Sequence, residues 1–198
     1  HAIKNFNLQI AAGEKIAVIG RTGSGKSTLA QLLLRMYDVT SGRIELDRAD
    51  IREINLEDLR RQISFVPQDG FLFSDSVANN IAFGAVNTSV EKIERAAHLA
   101  VVDKEIESFP GKYETLIGER GVTLSGGQKQ RVSIARPLKK EAPVIILDDA
   151  LSAVDAKTEK QILNNLNQYL KDKTAIVITH RIFSLLNFDK IIVLEDGA

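Results

Sequence analysis

The chain has 198 residues, one domain's worth with room for a helical subdomain, and 44% of them are hydrophobic, enough to bury a sizeable core. Lysine plus arginine equals aspartate plus glutamate at 26 each, which argues against a nucleic-acid partner, and the absence of cysteine excludes disulfides and thiolate metal sites. With three histidines no His-rich metal cluster is expected, no apolar run approaches the ~20 residues that span a bilayer, and no signal-peptide pattern opens the sequence, so by itself it reads as a soluble, cytoplasmic domain.

Ile3 to Ile10 alternates apolar and polar residues and reads as an irregular strand. Ala11-Ala12-Gly13 turns it into a second strand, Glu14 to Ile19, which is followed by a glycine-rich loop and a leucine-rich helix over Leu29 to Met36. Thr40-Ser41-Gly42 is a turn, Arg43 to Leu46 a short strand, and Asp47 to Asn55 a polar loop. Leu56 to Gln62 reads as a helix with Asn55 as its cap, and Ile63 to Val66 as a strand closed by Pro67. Gln68-Asp69-Gly70 then falls at the carboxyl end of that strand, where open parallel sheets place ligand-contacting residues.

From Phe71 to Ser108 the strand signal fades, and Ser76 to Phe83 and Val90 to Val101 read as helices separated by Gly84. This is a helical insertion in an α/β chain. Gly111 to Leu124 has no periodicity and reads as loop. Ser125 caps a helix running towards Lys139, in which Pro137 is expected to force a kink or an end at Ala135 or Arg136. Val144 to Leu147 is an apolar run of a central parallel strand with Asp148 and Asp149 at its tip. Thr158 to Leu170 is an amphipathic helix, Thr174 to Ile178 a strand leading to Thr179 and His180, Ile182 to Leu186 helical, and Lys190 to Leu194 a last strand. Strands alternating with helices predict a mainly parallel sheet covered by helices.

The stretch Gly20-Arg21-Thr22-Gly23-Ser24-Gly25-Lys26-Ser27-Thr28 carries the clearest chemistry. It holds the spacing of a phosphate loop, and it lies between a strand and a helix, the context that motif requires. Its glycines allow backbone N–H groups to converge on phosphate oxygens, the helix start adds a positive dipole end, Lys26 supplies a charge for the outer phosphates, and the Ser27 hydroxyl suits magnesium.

Six motifs in one order resemble the nucleotide-binding domain of ATP-binding-cassette transporters over nearly the whole chain. They are the phosphate loop; Phe65-Val66-Pro67-Gln68; the signature Leu124-Ser125-Gly126-Gly127-Gln128; Val144 to Asp149; Leu151-Ser152-Ala153-Val154-Asp155; and Ile178-Thr179-His180-Arg181. Phe71-Leu72-Phe73-Ser74, Asn79 to Gly84 and Gly118-Glu119-Arg120-Gly121 look like the exporter type. The resemblance implies an α/β P-loop NTPase fold, with a core over roughly 1–70 and 143–198 and an inserted helical subdomain over roughly 71–142 carrying the signature. It implies ATP and Mg2+ as ligands and ATP hydrolysis as the activity. The implied partners are a second such domain and a transmembrane domain fused upstream, at the cytoplasmic face of the plasma membrane.

Residue by residue, the resemblance gives Asp148 to magnesium together with Ser27. Gln68 goes to the magnesium and the attacking water, and His180 to the terminal phosphate. Ser125, with the N–H groups of Gly126 and Gly127 and with Gln128, forms a second anion site at a helix start. In the family two domains pack head to tail, so this site closes over the neighbour's ATP and Asp155 lies across the interface. Asp149 departs from the usual glutamate that polarises the attacking water. One methylene less withdraws the carboxylate by roughly 1.5 Å, so slow hydrolysis at this site is expected, as in the impaired half of heterodimeric exporters. Family members also stack adenine on an upstream aromatic residue, which here is expected before His1, and the chain is expected to be cut short at both ends. Two alternatives remain: a nucleotide-gated half with little turnover, and a soluble cassette ATPase, against which Gly118 to Gly121 and the charge balance argue. The transported substrate is not encoded in these residues.

Overall fold

The computed structural model describes residues 3–85, 87–118, 124–180, 186–195 and 197. In chain order its elements are β1 (Lys15–Gly20), α1 (Lys26–Leu33), the short pair β2 (Glu45–Leu46) and β3 (Ala49–Asp50), α2 (Leu56–Gln62), β4 (Ile63–Val66), α3 (Val77–Ala82), α4 (Val90–Leu99), α5 (Asp103–Ser108), α6 (Gly126–Leu138), β5 (Val144–Asp148), α7 (Ala156–Tyr169), β6 (Thr174–Ile178) and β7 (Lys190–Leu194). The backbone groups into two units, one of His1–Phe65, Ala142–Asp149 and Asp172–Ala198, the other of Val66–Glu141 and Ala150–Lys171.

The first unit is built on a five-stranded sheet in the order β4-β5-β6-β1-β7. Strands β5, β6, β1 and β7 run parallel, with Ile146 paired to Ile176 and Ile176 to Ile16. These three isoleucines stand side by side on one face, each at most 4% exposed. Leu29 and Ala30 of α1 join them in the core, with Leu59 of α2. Burying each of these isoleucine and leucine side chains contributes roughly 1.5–3 kcal/mol. Successive strand residues alternate faces, so Asp148, two past Ile146, points to the same side as the ladder and towards α1. The other face of the strands is buried too, at Ala17, Ile145, Leu147, Ala175 and Val177. That explains why the strand sequences are continuously apolar.

Ile3 to Ile10 is not a strand. Ile3, Phe6 and Ile10 pack partly buried against the core, so the apolar spacing was meaningful, but Asn5 turns left-handed at φ 50° and breaks the extended run. The polar stretch after Leu46, expected to be loop, holds the short strand Ala49–Asp50. Leu46 pairs with Ala49, and Asp47 and Arg48 between them have φ of 51° and 71°, a type I′ hairpin. Arginine is a poor residue for that position. Arg48→Gly is expected to raise stability by about 0.5 kcal/mol. Relief of a left-handed residue, ~1 kcal/mol, exceeds the added freedom of the unfolded chain. A melting temperature unchanged or lowered in the variant contradicts this.

In the second unit, α3, α4 and α5 gather around α6. Arg131 of α6 is 8% exposed; it binds Glu105 at 2.7 and 3.0 Å, the Val101 carbonyl at 2.7 Å and the Gly127 carbonyl at 3.1 Å. Asn80, 1% exposed, ties the Phe73 backbone to Arg136, which donates to the Asn80 carbonyl at 2.8 Å. The helix α6 runs through Pro137 to Leu138 instead of stopping at Ala135 or Arg136. Only the bond that residue 137 would have donated is lost, and Lys139 N–H still reaches the Ala135 carbonyl at 3.2 Å. The helix α5 was also unforeseen, because Ile106 is its one buried residue and leaves no periodicity to read. Of the expected helix over Ile182 to Leu186, only Leu186 is among the described residues.

Candidate functional site

The parallel register brings three strand ends to one edge of the first unit's sheet. Val18, Ile178 and Asp148 lie in register on β1, β6 and β5. Gly20 therefore lies two residues beyond on one strand, and Thr179 and His180 follow directly on the next. Ligands in open parallel sheets bind at this carboxyl edge.

The loop from Gly20 to Thr28 leaves β1 and enters α1. At Gly20 only glycine fits, because a Cβ would stand 2.3 Å from the Leu194 carbonyl oxygen and 2.7 Å from Ser24 Oγ. Gly25 takes φ 102° as the residue before α1, and no side chain caps that helix. The first-turn N–H groups are thus left without a side-chain acceptor. Lys26 is 6% exposed, and its ammonium donates to the Gly20 and Arg21 carbonyls at 2.9 and 2.8 Å. Ser24 Oγ is buried and has no hydrogen-bond partner. Arg21, Thr22 and Gly23 are exposed on the outer side of the loop. A buried ammonium on its own loop's carbonyls, an unpartnered buried hydroxyl and a helix start without a side-chain cap gather donors in one loop. A polyphosphate supplies the acceptors they lack.

Ser27 Oγ donates to Asp148 Oδ1 at 3.3 Å. Two cis oxygen ligands of an octahedral magnesium ion stand about 3 Å apart, so this pair fits such an ion. Burial pushes the Asp148 carboxyl above the usual carboxylate range; the neighbouring Asp149 adds to this, while the Ser27 hydroxyl, Lys26 and His180 pull the other way. Among the described residues no cluster of three or more His, Asp or Glu groups forms a metal cage. One carboxylate beside one hydroxyl suits a cation held by few protein oxygens together with substrate phosphates. Asp149 is half-buried, has φ 46°, and donates its N–H to the Ile178 carbonyl at 2.8 Å. His180 is exposed.

The other predicted residues belong to the second unit. Gln68 is exposed, directly after Pro67. Ser125 caps α6 in a full capping box: its Oγ accepts from Gln128 N–H at 3.2 Å, and Gln128 Oε1 accepts from Ser125 N–H at 2.9 Å. The Ser125 hydroxyl keeps its own proton to donate. Gly126 begins the helix and is open to solvent, and Gly127 follows it. Asp155 caps α7, accepting from Lys157 and Thr158 N–H at 3.1 and 3.0 Å. The Thr158 hydroxyl and these N–H groups hold its carboxyl below the usual range. The capping role was missed although an aspartate three residues ahead of a helical pattern is an ordinary cap signal. Of Gly118 to Gly121 only Gly118 is described, and Arg181 lies outside the described residues.

The family profile of the ABC transporter matches residues 3–152. The chain belongs to that family. This ABC transporter domain is 48% identical over 197 residues to the ATP-dependent lipid A-core flippase of Pectobacterium atrosepticum, covering 99% of this chain and 34% of that protein. It is 45% identical over 197 residues to the mitochondrial iron-sulfur clusters transporter ATM1 of Gibberella zeae, covering 98% of this chain and 28% of that one. Among solved structures it is similar to a bacterial Atm1-family ABC exporter with ATP bound, with a TM-score of 0.95, 41% identity, and coverage of 99% of this chain and 35% of the other. The chain thus spans about a third of the length of the relatives it matches. These likenesses establish an ABC domain homologous to exporters, with the expected α/β P-loop fold. Among the described residues of the ABC domain no helix is long and apolar enough to cross a membrane.

Proposed function

We propose that this ABC domain binds Mg-ATP in the Gly20–Thr28 cradle and closes head to tail on a second ABC domain. ATP hydrolysis between them powers export across a membrane, through a transmembrane domain of the same protein, with the ABC domain at the cytoplasmic face. The observation that carries the reading is the donor set of that cradle, with Lys26 turned onto Gly20 and Arg21 and Ser24 Oγ left without a partner.

In this reading the core (roughly 1–70 and 143–198) holds the nucleotide and the helical part (roughly 71–142) carries the signature. Gly20, Arg21, Thr22, Gly23, Ser24 and Gly25 direct backbone N–H groups and the Ser24 hydroxyl at phosphate oxygens, and Thr28 continues the helix start. Lys26 exchanges its carbonyl partners for phosphate. Ser27, Asp148 and Gln68 would hold Mg2+, which when bound neutralises charge on the outer phosphates. Asp149 orients the attacking water and accepts its proton, and His180 bonds the terminal phosphate. Ser125, Gly126, Gly127 and Gln128 donate to ATP held by the neighbour, and Asp155 lies beside that interface. A second reading rests on Asp149: a carboxylate one methylene short makes this the slow half of an unequal pair, gated by ATP binding rather than turnover. Single-turnover hydrolysis at this site separates the two.

The test uses the full-length transporter and photolabelling with 8-azido-ATP. Lys26→Ala is expected to abolish labelling of this chain. Ser125→Ala is expected to lower ATP turnover while this chain still labels, because Ser125 serves the neighbour's nucleotide. Loss of labelling on this chain in Ser125→Ala would place the signature over its own ATP and end the head-to-tail reading.

A further inference from the structure

Gln130 lies in α6, five residues past Ser125, and is 6% exposed. Its Oε1 accepts from Ala153 N–H at 2.8 Å, and its Nε2 reaches Ser152 Oγ at 3.5 Å. One turn earlier on the same helix, Gly127 faces the same loop, where a Cβ would stand 3.7 Å from the Ala153 carbonyl oxygen. Val154 N–H closes that loop onto the Leu151 carbonyl at 3.2 Å, and Asp155 then caps α7. One turn further along α6, Gly70 approaches so closely that a Cβ would lie 2.6 Å from Ser133 Cβ and 3.7 Å from Gln130 Cα. The loop after Gln68 and the loop before Asp155 are therefore both seated on α6 within a turn of Gln130.

We propose that Gln130 is a positioning residue that fixes the Leu151–Asp155 loop on the signature helix, so that Ser125 and Asp155 are presented to the neighbouring domain as one rigid surface. This rests on the head-to-tail reading above. A buried amide is well suited to the task. Its oxygen satisfies the loop's N–H and its NH2 group meets the loop's hydroxyl, so the loop cannot shift along α6 without breaking both contacts. Gln130 touches no nucleotide in this scheme; it acts through Ala153 and Ser152.

The experiment uses the full-length transporter with two variants. Gln130→Met keeps the side-chain volume and removes both polar groups; Gln130→Glu keeps an acceptor for Ala153 N–H. In Gln130→Met the Ala153 amide is expected to exchange with deuterium about tenfold faster, and kcat for ATP to fall about tenfold, the effect of one net hydrogen bond. Affinity of this chain for 8-azido-ATP stays unchanged, and Gln130→Glu restores both exchange and kcat. A merely structural role predicts a lower melting temperature with kcat per folded molecule intact. Wild-type kcat in Gln130→Met, or exchange at Ala153 that does not change, overturns the inference and leaves the proposed function standing. If turnover in the unsubstituted transporter does not depend on Ser125, the head-to-tail reading falls and takes this inference with it.

Discussion

Lys26→Ala is expected to weaken Mg-ATP binding to this chain by about a hundredfold or more. The ammonium is 6% exposed and makes two short bonds, to the Gly20 and Arg21 carbonyls. Two carbonyls of its own loop hold that ammonium, and a phosphate offers it charged acceptors in place of neutral ones. A hydrogen bond to a charged group contributes roughly 1.5–3 kcal/mol, so losing two costs about 3 kcal/mol or more, which is two decades in the dissociation constant. The fold should lose much less. Arg21 is exposed and Gly20 half-buried, so water can replace the ammonium on their carbonyls, at a cost on the order of 1 kcal/mol. Titration calorimetry of the full-length protein with Mg-ATP measures the first effect and thermal melting the second. Lys26→Arg should not rescue binding, because a planar guanidinium cannot replace a compact ammonium between two carbonyls under 3 Å away. Binding within threefold of wild type in Lys26→Ala would remove this loop from the nucleotide site.

Asp149→Glu should raise ATP hydrolysis at this chain's own site by about a hundredfold. The general base must come within about 2.6–3.2 Å of the proton it takes, and the missing methylene withdraws the carboxylate by roughly 1.5 Å. A misplacement of about 1 Å can cost on the order of a hundredfold. The backbone gives the substitution a small opposing cost. Asp149 sits at φ 46°, a left-handed conformation that aspartate tolerates better than glutamate, so the variant should lose a fraction of a kcal/mol of stability. Its N–H bond to the Ile178 carbonyl at 2.8 Å does not involve the side chain and should hold the backbone in place. Single-turnover hydrolysis in the assembled transporter is the measurement, with Asp149→Asn as a control that removes whatever basic function the aspartate retains. If the glutamate variant is no faster, the native aspartate already works through a displaced water and the slow-half reading is lost.

What could be read in the sequence follows how each element is stabilised. Ile63–Val66, Thr174–Ile178 and Lys190–Leu194 were readable to the residue because each is a mainly apolar run between turn residues, although only the central strand Thr174–Ile178 is covered on both faces and the edge strand leaves Ile191 and Val193 exposed. The helix Leu56–Gln62 and its Asn55 cap were readable because the cap is local chemistry. Some of the misses depend on non-local partners, while the β2–β3 hairpin and the helix Asp103–Ser108 are local but carry too few buried residues to leave a pattern. Ile3, Phe6 and Ile10 have the spacing of a strand but bury themselves without a ladder. The helix continues over Pro137, where only one backbone bond is lost and the preceding Arg136 is bonded to Asn80, 56 positions away. At the site, Gly20 to Thr28 was visible as a motif, and the orphaned Ser24 hydroxyl was not. Gln130 looked like any polar residue on a helix, since its partner Ala153 is 23 positions distant.

The isoleucine ladder has a consequence for insertions and deletions. In β5 the side on which a carboxylate emerges is a matter of reading frame, counted in twos from Ile146. Deleting one residue upstream would leave the interior chemically content, since both faces of that strand are greasy. The next residue along would bring Asp149 to the place facing Ser27, and Ala150 would inherit the place that Asp149 now holds. The oily middle of this strand would therefore hide a frame error, and only the chemistry at its tip would reveal it.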